Sequence, residues 1–180
     1  YRQAVGASLQ SSFLYRELIA ARREVYTPML ATSLCNLGYG QSLLGDALAA
    51  THSYEAALPL LRELSEGGQC SCLPALAGAY GNLGGIAQRR GDPASAGSNY
   101  RQAATVWRRL EAEQPHLYRV PLARTLHELG RIARVLRELP EAQASLQEAV
   151  EMWGKVDEEA RADHWEAFGE ALLDLAGVHS

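Results

Sequence analysis

The chain has 180 residues, of which 47% are hydrophobic and 21% charged, and a net charge of −4. A chain of this composition can bury a continuous core, which excludes wholesale disorder, and its slight acidity gives no basis for a phosphate-binding surface, so no nucleic-acid partner is expected. It has no apolar run near the roughly 18 residues of a membrane span and no signal-peptide pattern at Tyr1, so a cytoplasmic protein without a membrane partner is expected.

The opening stretch, about 1–25, carries Leu14-Tyr15-Arg16-Glu17-Leu18, which lies 92 positions before Val106-Trp107-Arg108-Arg109-Leu110. It is expected as one helix, the second of a truncated repeat. In the next stretch, about 26–71, Leu30, Leu34, Leu37, Gln41 and Leu44 recur at 0, 4, 7, 11 and 14, marking one face of a helix over 28–44. Ala50, Tyr54, Ala57 and Leu61 mark the face of a second helix over 47–65. Pro59 falls inside it and removes a backbone bond. A local kink is expected, not a break, because the apolar pattern continues through Leu60, Leu61 and Leu64.

The third stretch, about 72–117, predicts helices over 74–90 and 93–112. Gly91-Asp92 interrupts the pattern as Gly45-Asp46 does before it, Asp92 caps the following helix, and Pro93 takes its first turn. The fourth, about 118–160, predicts helices over 120–137 and 140–157, with Pro140 as the helix starter. Pro28, Pro74 and Pro121 sit near the starts of the first helices. Phe168, Leu172, Leu175 and Val178 then fill the apolar places of a further first helix over about 162–178. By this register the chain starts within one unit and stops within another.

These stretches are copies of one another. Leu30-Ala31, Leu76-Ala77 and Leu122-Ala123 coincide without a gap at a spacing of 46, as do Leu37-Gly38, Leu83-Gly84 and Leu129-Gly130. Ala50, Ala96 and Ala142 coincide, then Ala57, Ala103 and Ala149; Tyr54 and Tyr100 match Leu146 in the last copy. Short connectors force consecutive helices antiparallel. Two helices cannot bury their whole apolar face alone, so the units are expected to stack. The fold class is therefore all-α, a right-handed α-α superhelix of antiparallel hairpins spanning 1–180 as a single solenoid with no domain boundary.

The copies resemble the tetratricopeptide repeat (TPR) family, whose signature couples Leu-Gly in the first helix to Ala, an aromatic and Ala in the second. Leu37-Gly38 with Ala50, Tyr54 and Ala57 supplies it once, and Leu83-Gly84 with Ala96, Tyr100 and Ala103 again. Leu129-Gly130 with Ala142, Leu146 and Ala149 departs at the aromatic. Gly38 and Ala50 are small enough for two backbones to approach, and Tyr54 fills the space between hairpins. Leu34, Tyr80 and Leu126 stand in place of the usual first-helix Trp; Gln41, Ala87 and Ala133 in place of the second aromatic. The period exceeds the family's usual 34 or so. The longer second helix and the Asn-Leu-Gly strings at Asn36 and Asn82 are closer to the kinesin-light-chain-like style carried by many bacterial signalling proteins. The resemblance implies a helical groove that binds a peptide or another protein.

No catalytic signature accompanies the repeats. Gly81, Gly84 and Gly85 lack the Lys-Ser/Thr and the strand of a phosphate loop, and no HExxH occurs. His52, His116, His127, His164 and His179 are scattered over different elements, and Glu158-Glu159 reads as a solvated helix face. Cys35 is a small helical side chain, and Cys70 and Cys72 in a linker lack matching ligands. The expectation is no enzyme, no cofactor and no metal.

The groove is expected on the first helices. Its stripe in the third copy is Arg124, His127, Arg131 and Arg134, spaced 0, 3, 7 and 10 and distinct from the apolar Leu122, Leu126, Leu129, Ala133 and Leu136. The matching residues are Gly78, Gly81, Gly85 and Gln88 in the second copy, and Thr32, Cys35, Tyr39 and Ser42 in the first. Mid-helix glycine costs about 1 kcal/mol against alanine. Gly84 has a packing reason in the repeat. The others are either a groove floor kept bare for a close backbone or drift in a helix held by its neighbours. The arginines either recognise a carboxylate through their bidentate fork or pair with acids on adjacent helices. Asn36 and Asn82, by the resemblance, bond a peptide backbone; Glu128 departs from that Asn, and either orients Arg131 or Arg124 or repels an acidic ligand. Glu141, Glu148 and Glu151 collect on the next helix, a polarised surface for oriented docking. The function that follows is a protein- or peptide-binding scaffold or adaptor, part of a larger protein, with an acidic or carboxylate-bearing partner. The alternatives are a sensor binding a small ligand in the groove and a structural module that self-associates end to end.

Overall fold

The computed structural model describes residues 1–157 and 164–178. Every regular element among them is helical. In chain order they are α1 Arg2–Ile19, α2 Arg23–Leu43, α3 Ala47–Glu66, a 3-10 turn at Cys70–Cys72, α4 Leu73–Arg89, α5 Pro93–Glu113, α6 Arg119–Val135, α7 Leu139–Gly154 and α8 Trp165–Ala176. The chain divides into two compact units, Tyr1–Ile86 and Ala87–Ser180. In the first, α1 packs on α2 and α2 on α3; in the second, α5 packs on α6, α6 on α7 and α7 on α8.

The helix ends follow from local chemistry. The carboxylates of Asp46 and Asp92 accept from the Ala49 and Ser95 amides at 3.0 Å, capping α3 and α5, with Pro93 opening the latter. Gly45 and Gly91, one residue before each cap, have φ of +82° and +73°. The same place in the next copy is Arg137, at +62°, where an L side chain is strained.

The repeat's small residues are the contact points. Ala50, Ala57, Ala96, Ala103, Ala142 and Ala149 are all fully buried. A methyl group on Gly38 would lie 3.0 Å from the Tyr54 ring, and one on Gly130 would lie 2.5 Å from Leu146 Cγ. In the second unit Tyr100, Leu122, Leu126, Leu129 and Ile132 form one apolar cluster, with Trp107 and Met152 at its edge. Ala123, Trp153, Val156 and Ala171 form another.

Some elements differ from the sequence expectation. Helix α2 starts at Arg23 instead of near 28, so Pro28 lies inside it. Proline at this point forfeits only a bond to the Glu24 carbonyl, and the first turn is held from outside. The Arg23 guanidinium grips both oxygens of Glu63 at 3.0 and 2.7 Å, and Thr27 Oγ1 donates to the Arg23 carbonyl at 2.7 Å. Leu44 is exposed because α2 ends at Leu43, and α7 ends at Gly154, short of 157. Helix α3 runs through Pro59 without a break. The expected helix start near Ala162, Glu158-Glu159 and His179 lie outside the described residues.

Candidate functional site

The sequence-predicted groove residues fall into two sets. Asn36 and Tyr39 on α2 and Gly78, Gly81, Asn82 and Gly85 on α4 belong to the first unit; Gln88, Arg124, His127, Arg131 and Arg134 belong to the second.

In the first unit the set is accessible. Asn36 and Asn82 are exposed, and Tyr39 is 55% exposed. Gly78, Gly81 and Gly85 are half-buried, and a methyl on Gly78 or Gly81 would meet nothing within 4 Å. No packing contact at these two positions therefore requires a glycine. Their helix is held on its other side by Leu73, Leu76, Ala77, Tyr80, Leu83 and Ile86, all buried. Tyr80 is further fixed through its hydroxyl, which accepts from Arg62 Nε at 2.8 Å. Cys35 and Cys72 are packed into the fold, and Cys70 is exposed. Burial raises the Cys35 thiol to about 11, which suppresses the reactive thiolate, and Cys72 Sγ donates to the Leu61 carbonyl at 3.4 Å.

In the second unit most of the polar residues are engaged. His127 is only 4% exposed, not on an open surface, and its Nε2 donates to Asp174 Oδ2 of α8 at 2.9 Å. Arg134 donates to the other oxygen of Asp174, also at 2.9 Å, and Arg131 Nε lies 3.8 Å from the same carboxylate. Arg131 also lies 3.6 Å from Glu128, which is therefore placed to orient it. Gln88 donates to Glu128 at 3.1 Å and accepts from the Tyr100 hydroxyl at 2.8 Å. Arg124 is exposed and makes no ion pair among the described residues. Glu141 and Glu148 of α7 are also engaged. Arg101 on α5 pairs with Glu138 and Glu141, and Arg108 grips Glu148 at 2.8 and 2.5 Å. The Arg101 bond holds the Glu141 carboxyl below its ordinary value. Of the polarised face expected from Glu141, Glu148 and Glu151, the first two are thus neutralised by α5, and Glu151 is exposed.

Sequence reasoning missed Asp174, although a signal for it was present. Asn36, Asn82, Glu128 and Asp174 follow one another at the repeat spacing of 46, and so do Gln88 and Arg134. The Gln88–Glu128 and Arg134–Asp174 contacts are therefore one contact made twice, from the end of one first helix to the middle of the next. An acid in the Asn position closes that position with a neighbour in its own chain. Also missed was Glu111, whose carboxylate accepts from the His116 and Tyr118 amides and from Arg119 Nε at 3.1, 3.3 and 3.1 Å. It organises the α5–α6 connection, where His116 has a φ of +80°.

Among the described residues no group of three or more His, Cys, Asp or Glu is arranged to hold a metal ion, and no helix is long and apolar enough to cross a membrane. No family model matches the chain, and no curated protein matches it. Among solved structures it is similar to BtubC (BKLC) from P. vanneervenii, with 16% identity over 99% of this chain and 82% of that one and a TM-score of 0.49.

Proposed function

We propose that this chain is a protein- or peptide-binding scaffold whose recognition face in the first unit is built from Asn36, Tyr39, Gly78, Gly81, Asn82 and Gly85. The observation that carries the reading is the open space over Gly78 and Gly81. Each glycine weakens α4 by about 1 kcal/mol relative to alanine, and the protein's own packing does not require it. A bare helix face lets an extended backbone approach closely. The exposed side chains of Asn82 on the same helix and Asn36 on α2 each offer both a donor and an acceptor to such a backbone, and Tyr39 adds a half-apolar contact.

The test is a peptide-library screen against the chain, followed by calorimetry on the best binder. Replacing both Asn36 and Asn82 with Ala is expected to weaken binding by about 1–3 kcal/mol, the sum of two ordinary hydrogen bonds, with the helical spectrum intact. Unchanged affinity would remove this face from the reading.

A second reading, self-association, is supported by the outer face of α1, where Leu9, Phe13 and Leu14 are all more than half exposed. Contiguous exposed apolar side chains mark an interaction surface. Sedimentation at rising concentration, repeated with Phe13→Ser, tests it; a monomer at every concentration excludes it.

A further inference from the structure

The sequence leads one to expect a carboxylate over the arginine stripe of α6. The structure places one there, and it belongs to the chain itself. Asp174 is bonded by His127 and Arg134 at 2.9 Å each and approached by Arg131 at 3.8 Å. The three donors sit at i, i+4 and i+7 of one helix, and therefore on one face. His127 is buried and aimed at the site, so it is pre-positioned, whereas both arginines remain more than a third exposed.

Arg131 and Arg134 face Asp174 and Glu128 in this cluster, two cations to two carboxylates, with His127 as a further donor to Asp174. Helix α8 supplies the opposite pattern, since Glu166, Glu170 and Asp174 recur every fourth residue and form an acidic stripe. The helix is also lightly held. Ala171 is its one fully buried residue among those described, whereas α6 buries ten. Leu172 is exposed, and Leu173 is 76% exposed. By contrast, the equivalent contact one copy earlier, Gln88–Glu128, joins α4 to a helix that is anchored by its own core.

The geometry points to the His127–Arg131–Arg134 cluster as a carboxylate-binding site that α8 occupies in cis, so that an acidic peptide segment binds there by displacing Asp174. The inference rests on the scaffold reading but concerns a different unit and a different chemistry. A site closed nine-tenths of the time by its own chain shows an affinity about tenfold weaker than its intrinsic one. Opening it should recover that factor.

The probe is a fluorescein-labelled hexaglutamate peptide, with hexaglutamine as control, followed by anisotropy at low salt. Asp174→Asn keeps the shape of α8 and removes the competing charge. It is expected to raise affinity for hexaglutamate about tenfold and leave hexaglutamine unbound. Adding Arg131→Ala and Arg134→Ala should abolish the gain. Ala171→Arg provides an independent route, since a long side chain at this fully buried position detaches α8 while leaving Asp174 intact; it should produce the same gain. In the unaltered chain, saturating hexaglutamate should speed amide exchange across 165–176. The inference is overturned, and the contact is an inter-helix clamp only, if neither variant binds better while the circular dichroism of α5–α7 is retained. It is equally overturned if the gain survives loss of the two arginines. Neither result bears on Asn36 and Asn82, so failure here is distinguishable from failure of the scaffold reading.

Discussion

Gly130→Ala and Gly81→Ala are the same chemical change on two first helices, and the structure assigns them opposite signs. At either site alanine lowers the cost of forming the helix by about 1 kcal/mol. At Gly81 nothing lies within 4 Å of the added methyl, so that gain is the whole effect. At Gly130 the methyl would lie 2.5 Å from Leu146 Cγ, 2.9 Å from Leu146 Cδ2 and 3.3 Å from the Ala142 carbonyl. Carbon atoms in good contact are about 3.5–4.0 Å apart, so roughly an ångström must be found. Leu146 is fully buried and the close atom is its branch carbon, which cannot swing aside as a chain end does. Overpacking of this kind costs about 1–3 kcal/mol. Gly130→Ala is therefore expected to destabilise by up to about 2 kcal/mol after the helix gain is subtracted, and Gly81→Ala to stabilise by about 1 kcal/mol. Gly130→Leu should be worse than Gly130→Ala, since the whole side chain must enter the same space. Urea unfolding followed by circular dichroism reads the stability. Amide exchange over 122–153 localises it, because repeat arrays do not always unfold as one cooperative unit. Equal shifts of the same sign from the two alanines would refute the assignment of helix faces on which both the core and the recognition surface rest.

Three further outcomes are expected. Arg137→Gly should stabilise by about 1 kcal/mol, because Arg137 holds the positive-φ place that Gly45 and Gly91 hold in the earlier copies; an unchanged urea midpoint would count against strain there. Tyr54→Phe should be neutral or stabilising, since the Tyr54 hydroxyl is buried without a hydrogen-bond partner among the described residues, whereas Tyr100→Phe should cost about 0.5–1.5 kcal/mol by breaking its bond to Gln88. Equal effects from the two tyrosines would contradict that difference. Glu111→Ala should cost about 3–5 kcal/mol, as it leaves the Arg119 guanidinium, whose side chain is 11% exposed, with the Lys155 carbonyl but no counter-charge, and frees the His116 and Tyr118 amides. A loss below 1 kcal/mol by urea denaturation would show that the pair is solvated instead.

The helices and their packing faces were legible in the sequence because the determinants are local and repeated. Leu37-Gly38, Ala50 and Tyr54 recur at a fixed spacing, and a helical period together with a small residue opposite a large one specifies which faces meet. The caps at Asp46 and Asp92 were legible for the same reason. Residues 28 and 137 were not. Pro28 sits within a helix whose first residue, Arg23, is gripped by Glu63, forty positions away, and the positive φ of Arg137 is adopted by a residue type that does not itself favour it. The candidate site divides along the same line. Exposure of Asn36, Asn82 and Tyr39 follows from their place opposite the apolar stripe, whereas the fate of the arginine stripe does not. Spacing along α6 brings His127, Arg131 and Arg134 to one face, but whether that face meets solvent or Asp174 depends on how α8 lies beside it. Helix period is a property of the chain; the partner of a charged side chain is a property of the packing, because ion pairs form across elements whose separation in sequence carries no information about their separation in space.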